Sequence, residues 1–310
     1  MALSRFANTF SGNPLDRAAD RRSSPEWIAE QRASPDASAI ALWRGEVLVE
    51  PAPGGGERLA YLQNDMAERA SGGREAVFMG LWKGAPVFAV EFTGEDPTAG
   101  PLAGLGRFQE MRGAGAILPA PEAGIAATAK SLFDWHEYHG FCSACGQASE
   151  VVDGGWKRQC PACRTEHFPR VNPVTIMLPV IGDRCLVGRQ AAWPKGRMSA
   201  LAGFVEPGES IEEACARELE EEAGLKAVRV AYHSSQPWPF PSSLMIGLIA
   251  EVADDDARPD QTELEAVRWL TRDELRQVLA SDEGWDGVLA PPPLAIARTL
   301  MEAWVEGFEG

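Results

Sequence analysis

The sequence predicts an α+β protein made of three successive parts, and three observations carry that prediction. Short β-rich runs separated by turn signals fill residues 38–92, and Cys142, Cys145, Cys160 and Cys163 form two Cys-x2-Cys pairs. From Val171 onward, strand patterns surround a strongly charged helix that starts at Ser210 and stops at Gly224. We therefore expect an N-terminal α+β domain over residues 1–138, a four-cysteine ribbon over 139–170 and a sheet-and-helix domain over 171–310. A chain of 310 residues is long enough for two or three such cores.

The elements follow in order. The first 25 residues are polar and irregular. Ser38 to Glu50, Arg58 to Gln63, Ala76 to Trp82 and Pro86 to Phe92 are expected as strands, with Lys83-Gly84 as a hairpin turn between the last two. Gly54 to Gly56 is a flexible turn, and Ala126 to His139 is a helix leading into the ribbon. The third part continues with strands Val174 to Ile181, Arg184 to Gln190, Ala227 to His233, Leu244 to Val252 and Glu265 to Leu270. Helices are expected over Arg272 to Ala280 and, after Pro291-Pro292-Pro293, over Leu294 to Phe308. The chain has no internal repeat.

Composition narrows the function. A net charge of −16 argues against an electrostatic nucleic-acid binder or a polybasic membrane protein, and 45% hydrophobic content excludes wholesale disorder. There is no run of 18 apolar residues and no charged-then-apolar leader, so no membrane partner and a cytoplasmic location are expected.

The double Cys-x2-Cys spacing is that of a metal site: two tight turns can converge four soft ligands on tetrahedral Zn²⁺. A closed four-thiolate site has no open position for water, so one structural zinc per chain is expected. His136, His139 and His167 flank the turns, but four cysteines complete the ligand set. Cys185 and Cys215 lie in apolar surroundings and are expected in the core.

The charged helix carries the chemistry. Ser210 followed by Glu213 is a capping-box signature. At helical spacing Ile211, Ala214, Cys215 and Leu219 form an apolar face with Glu218 and Glu222 in its middle, Glu221 at its edge, and Glu212, Glu213 and Glu220 turned away. Carboxylates at i and i+4 on a core-facing stripe repel each other and are costly to desolvate, which a bound cation resolves. Hard oxygen ligands suit Mg²⁺ or Mn²⁺, ions that stabilise charge on a phosphoryl group and lower the pKa of water. Arg217 lies beside Glu221 and could orient it by bidentate hydrogen bonds.

Residues Gly203 to Leu225 read GFVEPGESIEEACARELEEEAGL and fill every fixed position of G-x5-E-x7-R-E-U-x-E-E-x-G-U, where U is a bulky aliphatic. The segment resembles the Nudix box, whose family cleaves diphosphates linked to a nucleoside. The resemblance implies an α/β/α sandwich on a mixed sheet. Ten residues later stands Ser235-Gln236-Pro237-Trp238-Pro239-Phe240-Pro241-Ser242-Ser243. This stretch is too proline-dense for a strand, and its aromatic faces suit either a heterocyclic base or ordinary loop packing. It looks like the signature that follows the box in NAD(H) pyrophosphatases, which also remove the NAD cap from RNA 5′ ends, and with the upstream ribbon it identifies that family.

That resemblance implies specific roles. Glu218, Glu221, Glu222 and Glu263, with the Ala202 carbonyl, would hold the catalytic Mg²⁺ or Mn²⁺. Phe168, Phe204, Gln236, Pro237, Trp238, Pro239, Phe240, Pro241, Ser242, Ser243 and Ala297 would line the substrate pocket. NADH or NAD⁺ would be split into nicotinamide mononucleotide and AMP, with NAD-capped RNA as a second substrate, and the chain would form a homodimer. Either Glu221 or Glu222 could be the general base. Some relatives have an acidic substrate contact where this chain has Gly154-Gly155, so Asp153 or Glu150 would have to substitute. Lys157, Arg158, Arg164 and Arg170 gather in the ribbon and could guide RNA despite the net charge. Two other readings stand beside this one: a Nudix hydrolase for ADP-ribose or dinucleoside polyphosphates, and a ribbon interaction module on an inactive Nudix scaffold.

Overall fold

The structure, a computed structural model, describes residues 8–73, 76–308. Residues 1–7, part of the expected irregular first 25, lie outside them. The described chain divides into two compact units. One contains Phe10–Val171 and Trp238–Ser242, and the other contains Asn172–Pro237 and Ser243 onward together with Asn8 and Thr9.

In the first unit α1 (Pro25–Ala33) precedes β1 (Ser38–Trp43), β2 (Glu46–Pro51), β3 (Glu57–Leu59), β4 (Tyr61–Gln63), α2 (Asn64–Ala70), β5 (Val77–Trp82), β6 (Ala85–Phe92), β7 (Arg107–Gln109), α3 (Met111–Ile117) and α4 (Ala120–Tyr138). The sheet runs β3-β2-β1-β6-β5, with β4 on β1 and β7 on β2, and only β1 and β6 are parallel. The expected single strand from Ser38 to Glu50 is a hairpin. Arg44 and Gly45 both take positive φ, 52° and 76°, which a two-residue turn of right-handed twist requires. Lys83-Gly84 does the same between β5 and β6. Helix α4 begins at Ala120, six residues before the expected start, because Pro121 falls in the first turn, where its missing N–H costs nothing. The short helices α1, α2 and α3 carry too few apolar positions for periodicity to reveal them; α1 buries only Ile28.

The ribbon belongs to the same unit. It consists of β8 (Glu150–Val152), β9 (Lys157–Gln159) and β10 (Glu166–His167), antiparallel in the order β10-β9-β8. Its Asp153–Gly155 turn lies against β5 and α1. A Cβ on Gly154 would come within 2.9 Å of Ile28 Cδ1, and one on Gly155 within 2.7 Å of Val77 Cγ1. Both glycines also have positive φ, 62° and 99°. The glycine pair is therefore a packing requirement of this turn.

The second unit contains β11 (Asn172–Ile181), β12 (Arg184–Arg189), β13 (Leu201–Phe204), α5 (Ile211–Ala223), β14 (Ala227–Trp238), β15 (Ser243–Val252), β16 (Ala266–Thr271), α6 (Arg272–Leu279) and α7 (Ile296–Val305). Strand order is β14-β15-β11-β12-β16 with β13 on β11; β11 and β15 are parallel, so the sheet is mixed. Side chains alternate across it. Met177, Leu186 and Leu248 meet Cys215, Leu219 and Ala223 of α5, while Ile176, Leu178 and Val187 meet Leu275 of α6 and Leu300 and Trp304 of α7. This is the expected α/β/α sandwich. Cys185 and Cys215 are buried in it. Strand β14 runs five residues past the expected end at His233. It stands at the edge of the sheet, where Pro237 leaves no ladder hydrogen bond unmade. No helix among the described residues is long and apolar enough to cross a membrane.

The close seat of the ribbon turn on β5 predicts that Gly155→Ala lowers stability by about 1–3 kcal/mol through overpacking against Val77 and an unfavourable φ. A chemical denaturation curve with an unchanged midpoint would contradict it.

Candidate active site and zinc ribbon

Helix α5 is bounded as its sequence demands. The Ser210 hydroxyl accepts from Glu213 N and the Glu213 carboxylate from Ser210 N, while Gly224 closes the helix at φ 70°. Ala214, Cys215 and Leu219 are buried as expected, but Ile211, in the first turn, is exposed. Glu218 and Glu222 are 8% and 3% exposed, whereas Glu212, Glu213, Glu220 and Glu221 face solvent.

The Glu218 carboxylate lies directly over the backbone of β13. A Cβ on Gly203 would stand 1.8 Å from its carboxyl carbon, so only glycine leaves room for it. Burial raises the pKa of Glu218 and the Arg217 guanidinium opposes this, with the charges of Glu221 and Glu263 adding to the rise. Glu222 is pushed further, up to about 8, by burial first and then by Glu218, Glu263 and Asp260; an interaction with the Ala202 backbone opposes the shift. Glu222 Oε2 is buried without a hydrogen-bond partner. A cluster that crowds negative charge around an unsatisfied buried oxygen fits a divalent cation, which would supply the missing partner.

Arg217 organises the approach to this cluster. Its Nε and Nη2 donate to the two oxygens of Glu209 at 2.6 and 2.9 Å, its Nη1 to Glu218 and Glu221 at 2.8 and 2.9 Å, and Nη2 also to the Phe204 carbonyl at 2.9 Å. The fork holds Glu209 well down, at about 2. Glu209 thus pins the Gly203 to Gly208 loop to α5.

Sequence reasoning missed Asp260. Its carboxylate accepts from Glu263 N at 3.0 Å and Leu264 N at 2.9 Å, and its own N–H donates to the Glu222 carbonyl at 3.1 Å. This turn brings Glu263 to the end of α5. The available signal was an aspartate three residues before a glutamate in a loop, a local side-chain-to-backbone pattern too common to single out.

The expected pocket residues separate into different environments. Gln236, 1% exposed, commits its side chain to the backbone: Nε2 donates to Thr9 O and Leu294 O at 3.1 and 2.7 Å, and Oε1 accepts from Ile296 N at 2.9 Å. It therefore anchors the start of α7, where Ala297 is buried, and both polar atoms of its side chain are engaged by backbone. Trp238 and Phe240 stack edge-on at 5.0 Å, each 6.2 Å from Phe10, with the Arg112 guanidinium 3.8 Å above the Phe240 ring. Pro239 and Ser243 are buried, Pro237 and Ser242 partly so, and Pro241, after a cis peptide bond, is exposed. Phe168 and Phe204 are 60% and 59% exposed, open to a flat ligand or a partner.

In the ribbon the four sulfurs all lie within 4.8 Å of one another, with Cys142 and Cys163 3.6 Å apart and Cys145 and Cys160 3.5 Å apart. Zinc–thiolate bonds of about 2.3 Å in a tetrahedron place sulfurs about 3.8 Å apart, so the set fits Zn²⁺. The two turns are matched: Cys142 O accepts from Gly146 N and Cys160 O from Arg164 N, each at 2.9 Å, with Gly146 and Arg164 both at positive φ. The histidines are engaged elsewhere or stand apart from the sulfur set. His136 Nε2 lies 2.9 Å from Gly155 O, and burial pushes its pKa down to about 4; His139 Nδ1 lies 2.9 Å from Trp135 O.

The basic cluster does not form an open patch. Lys157 pairs with Asp153 at 3.2 Å and Glu166 at 2.9 Å, and Arg158 donates to the Ser149 hydroxyl and carbonyl at 2.8 and 2.7 Å. Both serve the ribbon's own structure, and Asp153 is likewise spent on Lys157. Glu150, Arg164 and Arg170 are exposed.

Comparison with known proteins places the whole arrangement. Residues 36–135 match an NADH pyrophosphatase-like rudimentary NUDIX domain, 138–168 an NADH pyrophosphatase zinc ribbon domain, and 171–290 a NUDIX domain. The NAD-capped RNA hydrolase NudC of Mycobacterium bovis is 39% identical over 238 residues, 74% of this chain and 75% of that protein. This chain belongs to the NAD(H) pyrophosphatase and NAD-capped RNA hydrolase family of Nudix hydrolases. The family's zinc ribbon is the four-cysteine site. The human NAD-capped RNA hydrolase NUDT12 is 42% identical over 61% of this chain, and the human mitochondrial NAD(P)H pyrophosphatase NUDT13 is 41% identical over 65%. The alignments span 43% and 60% of those two proteins.

Three outcomes are expected from this geometry. Glu222→Gln removes a charge from the crowded cluster, so the metal-free protein should gain stability while turnover falls at least about 10²-fold; Glu220→Gln, on the exposed side, should change neither. Near-normal activity in the first variant, or equal behaviour of the two, would contradict the assignment. Asp260→Ala should loosen Glu263 and weaken Mn²⁺ binding, read by electron paramagnetic resonance titration, by roughly 10–100-fold with the fold intact. Cys142→Ser should lower both zinc content and melting temperature, because metal binding at such a site is coupled to folding.

Proposed function

We propose that this chain hydrolyses the pyrophosphate bond of NADH or NAD⁺, giving nicotinamide mononucleotide and AMP. The observation that carries the reading is the buried Glu222 carboxylate, with an unpartnered oxygen, crowded by Glu218, Glu263 and Asp260. The carboxylates of Glu218, Glu221, Glu222 and Glu263, with the Ala202 carbonyl, would hold Mg²⁺ or Mn²⁺. When bound, such an ion stabilises charge on the phosphates and lowers the pKa of water. Arg217 holds Glu218 and Glu221 in place. A water attacks one phosphorus, the bond from that phosphorus to the bridging oxygen breaks, and either Glu221 or Glu222 takes the water's proton. Trp238, Phe240, Phe168 and Phe204 offer rings to the nucleotide's flat parts, while Gln236 shapes the site through α7.

NAD-capped RNA as a second substrate is supported by the names of the relatives. With Lys157 and Arg158 committed within the ribbon, RNA would have to be met by other groups, among which Arg164 and Arg170 are exposed. The same reading includes a homodimer, a cytoplasmic location and the division into an N-terminal domain to residue 138, a ribbon to 170 and a Nudix domain beyond. The ADP-ribose alternative is disfavoured by the Trp238-Pro239-Phe240 sequence, and an inactive scaffold by the complete set of box glutamates.

The test is hydrolysis of NADH in ¹⁸O-labelled water with Mg²⁺ or Mn²⁺. Mass spectrometry should find mononucleotides with the heavy oxygen on a phosphate. Free nicotinamide, or label on ribose, would refute the reaction.

A further inference from the structure

The segment from Asn8 to Asn13 is held at both ends and strained in its middle. Asn8, 4% exposed, donates from Nδ2 to Ser234 Oγ at 3.0 Å and to Ser235 O at 2.9 Å. Thr9 O accepts from Gln236 Nε2 at 3.1 Å, so residues 8 and 9 are bound along the end of β14. Three residues past Phe10, in the other unit, Asn13 Nδ2 donates to Thr128 Oγ1 on α4 at 3.0 Å, and Asn13 Oδ1 accepts from Leu15 N at 3.0 Å. The chain passes so close to α4 here that a Cβ on Gly124 would come within 2.9 Å of Asn13 N. The backbone is thus fixed on both sides of Phe10.

Between these anchors Phe10 takes φ 69°, a left-handed conformation that the Cβ of a bulky residue disfavours and that glycine would adopt freely. Its ring is 2% exposed. It meets Trp238 and Phe240 edge-on, each at 6.2 Å, with interplanar angles of 70° and 68°, while those two rings lie 5.0 Å apart at 65°. The three rings form one edge-to-face cluster, a packing with angular preferences that aliphatic side chains lack. Phe10 is fully covered and Trp238 and Phe240 are half-buried, so only the latter two keep ring surface for a ligand. A strained residue over-determined by hydrogen bonds on either side, with its ring delivered onto two others, preorganises those two.

We propose that Phe10 is a positioning residue of the nucleotide site: it touches no substrate and sets the angle at which Trp238 and Phe240 receive a flat ring. This rests on the reading that those two rings contact the substrate. Preorganised rings lower the entropy lost on binding. Losing Phe10 therefore weakens binding of substrate and transition state alike, which raises KM and leaves kcat.

The test compares two variants of the zinc-loaded full chain, Phe10→Leu and Phe88→Leu, the second altering the buried ring that packs on Phe78 at 5.5 Å. With Mg²⁺ and NADH, Phe10→Leu should raise KM about 3–10-fold with kcat within about twofold, whereas Phe88→Leu should lower the melting temperature and leave KM unchanged. Labelling with 5-fluorotryptophan gives a second readout that needs no turnover. The ¹⁹F line of Trp238, identified by its loss in Trp238→Phe, should shift and broaden in Phe10→Leu and stay in place in Phe88→Leu. If Phe10→Leu does not fold, Thr128→Val, which removes the hydroxyl that Asn13 bonds, should move the same line and raise KM about twofold. A Trp238 line unmoved in the variant that folds, or an equal KM change in Phe10→Leu and Phe88→Leu, would overturn the proposal. Wild-type protein that leaves NADH intact would overturn the substrate reading instead, and the ¹⁹F line would still decide the role of Phe10.

Discussion

The crowding of carboxylates at one end of α5 is the constraint on which the second unit depends. Glu218 can be buried only because β13 has a glycine at position 203, and Glu222 only because the sheet and the 260–264 turn close over it. Neither arrangement is favourable by itself: like charges at i and i+4 repel, and desolvation pushes both groups toward protonation. The surrounding structure holds the cluster in place. Arg217 ties Glu209, Glu218, Glu221 and the Phe204 carbonyl into one network, Asp260 clamps the loop that carries Glu263, and the capping box with Gly224 fixes where α5 starts and ends. Stability is given up locally, at the place where the proposed metal ion would restore it.

The ribbon solves a different problem. Its three strands are two or three residues long, too short to enclose a core, and four converging thiolates substitute for one. Its charged residues are largely spent on holding it together, which is why the Lys157 and Arg158 pair is not a patch for a polyanion. Its glycine turn and Trp156 attach it to α1 and β5, so the ribbon packs on the N-terminal sheet.

Much of this was legible in the chain. Capping signals, helical spacing and the separation of the cysteine pairs are local properties, and they located α5, its buried and exposed glutamates and the four sulfurs; strand and helix patterns gave the order of elements in the second unit apart from β13. Boundaries failed where context overrides a local rule. Pro121 lies within a helix because it occupies the first turn, Pro237 within a strand because that strand is at an edge, and Arg44-Gly45 breaks an apolar run because both residues take positive φ.

The sequence by itself determined which groups are chemically distinctive: four thiols with metal spacing, a helix with carboxylates on its apolar stripe, an aromatic and proline-rich segment. Those identities follow from periodicities of a few residues, which the backbone geometry of helices and turns converts directly into position. Only the tertiary structure decided what each distant group faces. Gln236 is consumed by Thr9, Leu294 and Ile296, and Asp260 reaches back to α5. Hydrogen-bond satisfaction and charge pairing are settled between residues tens to hundreds of positions apart, and no local pattern encodes them.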